Sequence, residues 1–85
     1  MNAPKKSIIM KQDGEYLTAM AERVTGSRIY TPIFSVYKYD AAEVPSKLAA
    51  KAVIKKLQVE HHQNGKWQII EFWRHNGEER TVMSL

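Results

Sequence analysis

The stretch LQVEHHQNGKWQIIEFWRHNGEERTVMSL (residues 57–85) decides how this chain folds. Two Asn-Gly pairs, Asn64-Gly65 and Asn76-Gly77, interrupt runs rich in β-branched and aromatic residues. Asn and Gly both accept positive φ, which a type I′ hairpin turn requires at its two central positions. The pattern predicts a three-stranded antiparallel meander over about 57–62, 67–74 and 79–84. The first turn sets a register, with His62 opposite Trp67, Glu60 opposite Ile69, Val59 opposite Ile70 and Leu57 opposite Phe72. One sheet face then carries Leu57, Val59, His61, Gln68, Ile70 and Phe72, because side chains alternate along a strand. The second turn extends it by placing Thr81 opposite Phe72 and Met83 opposite Ile70. This face is expected to be the core. The other carries Glu60, His62, Trp67, Ile69, Glu71, Trp73, Arg80 and Val82, and is expected to be half-exposed or covered by another element.

Immediately upstream, residues 46–57 read as the main helix, with a start one turn earlier as the alternative. Ala49, Ala50, Val53, Ile54 and Leu57 share a broad apolar arc at helical spacing. Pro45 is tolerated in a first turn, where its missing N–H has no partner to lose. Lys47, Lys51 and Lys55 recur every four residues and line one flank, with Leu48 and Ala52 beside them and Lys56 on the opposite flank. The helix is expected to pack on the Ile70 and Phe72 face.

Further back, Arg28 to Tyr39 has strong β character, but Pro32 removes a backbone donor and argues for an edge position or a bulge. Phe34 and Val36 are expected in the core, and Tyr37 and Tyr39 at its rim or exposed. Thr25-Gly26-Ser27 reads as a loop. Asp13-Gly14 has two readings. It caps a short helix over about 15–24, or it is a hairpin turn with Met10 opposite Leu17. Glu15, Leu17, Ala19, Met20, Ala21, Glu22 and Arg23 are good helix formers, and the helix reading is adopted. Ser7 to Met10 reads as a strand and residues 1–6 as a flexible polar arm. The predicted fold is therefore α+β: an antiparallel sheet of four to five strands, ending in the meander, packed against one main helix. Its expected core is Ile8, Met10, Phe34, Val36, Ala49, Val53, Ile54, Leu57, Val59, Ile70, Phe72 and Met83.

The chain has 85 residues, which fits one domain over 7–85. It has no cysteine, so disulfides, thiol chemistry and Cys-based zinc sites are excluded. No stretch has the apolar run of a signal peptide or a membrane span, so a cytoplasmic location and no membrane partner are expected. A net charge of +4 favours anionic partners.

Lys47, Lys51, Lys55 and Lys56, with Arg74 and Arg80, form the candidate nucleic-acid-binding set, because cations one helical turn apart can track phosphates. Trp67 and Trp73, with His62 and His75, form a candidate protein interface, since aromatic anchors dominate such surfaces. His61 and His62 point to opposite faces of a strand and cannot share an ion, so no metal site and no cofactor are expected. Glu60 and Glu71 lie diagonally with no evident cleft. No GxSxG elbow and no phosphate-binding glycine loop occurs, and no enzyme is expected. An open edge at 79–84 offers pairing to another chain and a possible homodimer. Two functions follow. The first is an accessory protein binding DNA or RNA through the basic helix flank and the aromatic and basic sheet face. The second is an adaptor or inhibitor that binds an acidic or apolar protein through an aromatic face or open edge.

Overall fold

The computed structural model describes residues 5–22, 26 and 30–85. Five strands and one main helix follow in the order β1 (Ser7–Gln12), β2 (Glu15–Glu22), β3 (Tyr30–Ser35), a 3₁₀ turn (Lys38–Asp40), α1 (Lys47–His61), β4 (Trp67–Trp73) and β5 (Glu78–Ser84). The strands form one antiparallel sheet in the order β3-β2-β1-β4-β5. The α+β class and the helix-on-sheet architecture are as the sequence predicts. Most of the expected arm, Arg23 and Val24 of the expected short helix, Thr25 and Ser27 of the loop, and the first two residues of the strand expected from Arg28 lie outside the described residues.

The Asp13-Gly14 pair makes a hairpin, not a helix cap. Asp13 (φ 50°) and Gly14 (φ 87°) both take positive φ, and Gln12 pairs with Glu15 across them. Residues 15–22 are therefore a strand, against their helical propensity. Propensity is a weak prior, and pairing with β3 along the whole run outweighs it. Pro32 behaves as expected: β3 is an edge strand, and a bulge interrupts its pairing between Leu17 and Ala19.

The larger correction concerns residues 57–62. Helix α1 runs through them to His61, so the meander has two strands, not three. Leu57 is buried on the same helical face as Ala50 and Ile54, and Val59 points to solvent at 69% exposure. At the end, His62 adopts a left-handed conformation (φ 55°), and the Gln63 N–H donates to the Leu57 carbonyl (3.1 Å). That closure satisfies a terminal carbonyl. Ser46 opens the helix, its Oγ accepting from the Ala49 N–H at 3.1 Å, and Pro45 lies just before this cap. Gly65 has a different purpose from the one its Asn-Gly context implies. A Cβ there would lie 1.9 Å from the Asp13 carboxylate, whose Oδ1 accepts from the Lys66 N–H at 2.8 Å. Gly65 lets the loop after α1 seat against the first hairpin.

Asn76-Gly77 does reverse the chain, as a longer loop in which Trp73 pairs with Glu78. Phe72 thus faces Glu79, and Ile70 faces Thr81, two residues away from the expected register. A two-residue offset preserves which face each side chain takes. A further irregularity between Ile69 and Ile70 lets Val82 and Met83 both reach the helix side.

Both sheet faces are buried, and the helix covers the face opposite to the expected one. Ile8, Met10, Leu17, Trp67 and Ile69 pack against Ala50, Ile54 and Leu57 of α1. The other face, with Ile9, Tyr16, Ile70 and Phe72, is covered by Ala41 and the 3₁₀ segment. The expected assignment relied on Leu57 and Val59 belonging to the sheet, and it falls once they are helical. The chain passes between the two faces through a gap in the sheet. Ala42 N–H donates to Leu17 O (2.8 Å) and Val44 N–H to Ile8 O (2.9 Å), so residues 42–44 fill the space where β1 and β2 part. Val36, at 64% exposure, joins Val59 outside the core. No helix among the described residues is long and apolar enough to cross a membrane.

Candidate functional site

The residues expected to form binding surfaces divide into those the fold consumes and those it leaves exposed. Trp67 is consumed. It is fully buried, its ring centroid 5.9 Å from that of Phe34, and its indole N–H donates to Gln63 O at 2.7 Å. Trp73 is half-buried at the end of β4, with the Arg80 guanidinium 6.0 Å from its ring centroid. The aromatic sheet face proposed from the sequence is thus not an open platform.

Arg74 and Arg80 are exposed but engaged in intramolecular ion pairs. Arg74 Nε donates to Glu43 Oε1 (2.6 Å), and its Nη1 donates to Tyr39 O (2.9 Å). These bonds clamp the 3₁₀ segment to the β4–β5 loop. Arg80 Nε donates to Glu71 Oε1 at 3.1 Å, and Lys6 closes on the other carboxylate oxygen. Glu71 is only 1% exposed and lies on the helix side of the central strand β4, next to Trp67 and Ile69 in alternation. Hydrogen bonds from Lys6 and Arg80 hold its carboxyl below the ordinary carboxylate range. The same direction applies to Glu43, bonded by Arg74 and Ser7. Burial, reinforced by the Glu79 carboxylate that accepts its hydroxyl at 2.7 Å, pushes Tyr16 up to about 12.

A depressed carboxyl pKa contributes stability that is complete above the unfolded value and is lost as pH falls through the folded one. Stability should therefore decline as pH drops below about 4.5, where Glu71 and Glu43 begin to bind protons in the unfolded chain. Glu71→Gln should be less stable at neutral pH and show a shallower acid decline. Denaturant unfolding across a pH series measures both, and an acid decline as steep as that of the parent protein would remove Glu71 from the account.

His62 and His75 are exposed, one at the end of α1 and one in the β4–β5 loop. Among the described residues no three His, Asp or Glu side chains are grouped to hold a metal ion. An open cleft of 390 Å³ lies between the Asp13-Gly14 turn, Lys66–Gln68 and Ser84–Leu85. Its carboxylate is already engaged by the Lys66 backbone, and no second titratable pair faces it.

What remains is the outer surface of α1. Lys47, Lys51, Lys55 and Lys56 are all exposed, and none makes an ion pair among the described residues. By contrast, Lys6, Arg74 and Arg80 each hold a carboxylate, and Lys38 donates to Gly77 O. Along the middle of that surface run Leu48 (77% exposed), Ala52 and Val59. The lysine ridge was legible from four-residue spacing, and its freedom from carboxylates was not. Tyr37 and Tyr39 are exposed, within the rim-or-exposed expectation, and Met20, Tyr30, Ile33 and Val36 are exposed without having been singled out as such. The available signal was YTPIFSVY (residues 30–37), eight residues without a charge. Among the described residues the β5 edge expected at 79–84 has no strand partner beyond β4, and β3 lies at the far side of the sheet.

No family model, curated protein or solved structure matches the chain.

Proposed function

We propose that this protein binds nucleic acid through the phosphate backbone, without sequence preference, using Lys47, Lys51, Lys55 and Lys56. One observation carries the reading: among the described residues the helix keeps four exposed cations without carboxylate partners, while Lys6, Arg74 and Arg80 each hold a carboxylate. Residues four apart on a helix are separated by about 6 Å along its axis, so the ridge offers regularly spaced point charges. Arg74 and Arg80 are left out of the proposed set, because each already holds a carboxylate and moving Arg80 would leave the buried Glu71 with Lys6 alone. Such binding releases counterions. Three to four phosphate contacts imply an affinity loss of about 40- to 140-fold between 50 and 200 mM salt on duplex DNA. Fluorescence anisotropy with a labelled duplex and a labelled single strand, titrated in salt, tests this. Absence of binding to either at 50 mM salt would end the proposal.

A second reading has its own observation. Leu48 and Val59 stand exposed between the lysines, and a phosphate backbone has no use for them. An acidic protein surface with an apolar centre would use both kinds of group. That adaptor reading replaces the aromatic sheet face, which Trp67 cannot supply from the core. Leu48→Ser separates the two: it should leave nucleic-acid affinity unchanged and weaken an acidic protein partner.

A further inference from the structure

The two Asn-Gly pairs of this chain meet different surroundings. At Asn76-Gly77 both residues are held. Asn76 Oδ1 accepts from the Glu78 N–H at 2.9 Å, and the Gly77 N–H donates to the Trp73 carbonyl at 2.8 Å. Both bonds fix the pair to the main chain of the β4–β5 hairpin. At Asn64-Gly65 the hold is looser. Asn64 is exposed, and its carboxamide makes no hydrogen bond among the described residues. The Gly65 N–H donates to a side chain, Gln12 Oε1, at 2.8 Å. The fold also requires this glycine. A Cβ at residue 65 would lie 1.9 Å from Asp13 Oδ2, so a larger residue would displace the first hairpin. Without a Cβ of its own, Gly65 leaves its amide nitrogen open to the side chain of the residue before it.

We propose that Asn64 is a site of spontaneous covalent modification, deamidating through a cyclic imide closed by the Gly65 nitrogen. That nitrogen attacks Asn64 Cγ. An N–C bond forms, the Cγ–Nδ2 bond breaks, and ammonia leaves with the proton that the attacking nitrogen gives up. Water then opens the imide at one of its two carbonyls. Attack at Cγ leaves aspartate. Attack at the main-chain carbon leaves isoaspartate, in which the chain runs through Cβ and Cγ. The net change is water taken up and ammonia released, with no change of oxidation state. Either product adds a carboxylate to the loop. The isoaspartyl product also lengthens the main chain by a methylene. It does so inside the corner between α1 and β4, which the Trp67 indole N–H closes on Gln63 O at 2.7 Å and the Lys66 N–H anchors to Asp13 Oδ1 at 2.8 Å. The modification therefore loosens that corner. The inference is independent of the phosphate-binding reading.

Incubation of the whole chain in mildly alkaline buffer, followed by proteolysis and mass spectrometry of the two Asn-Gly peptides, tests it. The Asn64 peptide should gain the mass of an amide-to-acid change, and an isoaspartyl methyltransferase should label it. Asn76, with a further hydrogen bond to break, should convert about fivefold more slowly. In denaturant, where neither pair keeps its partners, the two rates should converge. Asn64→Ser should lose most of the label. The isoaspartyl fraction, separated by ion exchange, should unfold at lower denaturant than the unmodified chain. An Asn64 that stays unchanged in the folded protein, or converts no faster than Asn76, overturns the inference. So does a rate ratio that is the same folded and unfolded, or a label undiminished in Asn64→Ser. An isoaspartyl chain as stable as the parent overturns the loosening of the corner.

Discussion

Trp67→Ala is expected to remove about 3–5 kcal/mol of stability, the usual cost of emptying a large buried aromatic site. A domain of 85 residues has roughly 4–13 kcal/mol in total. The variant should therefore be near or past its unfolding midpoint under mild conditions. The geometry explains why the loss is large. Trp67 stands at the start of a central strand, under the helix, against Phe34, with no exposed surface. Its indole N–H also holds Gln63 O, at the corner where α1 gives way to β4. Truncation leaves a cavity and an unbonded carbonyl together. Trp67→Phe keeps most of the volume and should cost about 1–2 kcal/mol, mainly the lost hydrogen bond. Denaturant unfolding of the three proteins measures the series. A loss below about 1 kcal/mol for alanine would mean that Trp67 is not the core residue described, and would return it to the list of interface anchors.

The second large effect is expected from Lys51→Glu combined with Lys55→Glu. Each phosphate contact on duplex DNA is worth about 15-fold at 50 mM salt relative to 1 M, so two lost contacts cost about 200-fold. Reversing the charges adds repulsion. The salt slope should also shrink by about two contacts' worth, which distinguishes lost phosphate contacts from a damaged fold. Both positions are exposed and make no ion pair among the described residues, so the stability should stay within about 0.5 kcal/mol of the parent. The comparison variant is Arg80→Gln. It should destabilise the protein by releasing one of the two cations on Glu71, with little effect on phosphate binding. Equal loss of binding in the two variants would show that the helix ridge has no special part in it.

Several features of this fold were legible residue by residue. The apolar arc at helical spacing marked the helix over 46–57, and its cap by Ser46 came with the structure. Pro32 marked an edge strand, since a proline cannot donate to a ladder on both sides. Asn76-Gly77 marked a reversal, and a register misjudged by two residues kept Thr81 on its expected face, while the irregularity between Ile69 and Ile70 moved Met83 to the Ile69 face. The lysine ridge followed from spacing alone.

Other features were not decided by local pattern. LQVEHH (residues 57–62) alternates as a strand would, yet Leu57 also continues the apolar arc of Ala50 and Ile54, and its contact with the sheet settles it as helix. EYLTAMAE (residues 15–22) has helical propensity, yet it finds its hydrogen bonds in β3. WQIIEFW (residues 67–73) is apolar on both faces because both are covered, and such a run carries no mark of which cover lies on which side. Periodicity describes the surface one segment presents. What packs on that surface comes from residues far away in the chain: here a 3₁₀ turn on one face, a helix on the other, and a connection threaded between β1 and β2. The elements and the basic ridge were therefore set by the sequence acting locally. The burial of Trp67, the pairing of Arg74 and Arg80, and the exposure of Val36 and Tyr37 were decided by tertiary packing.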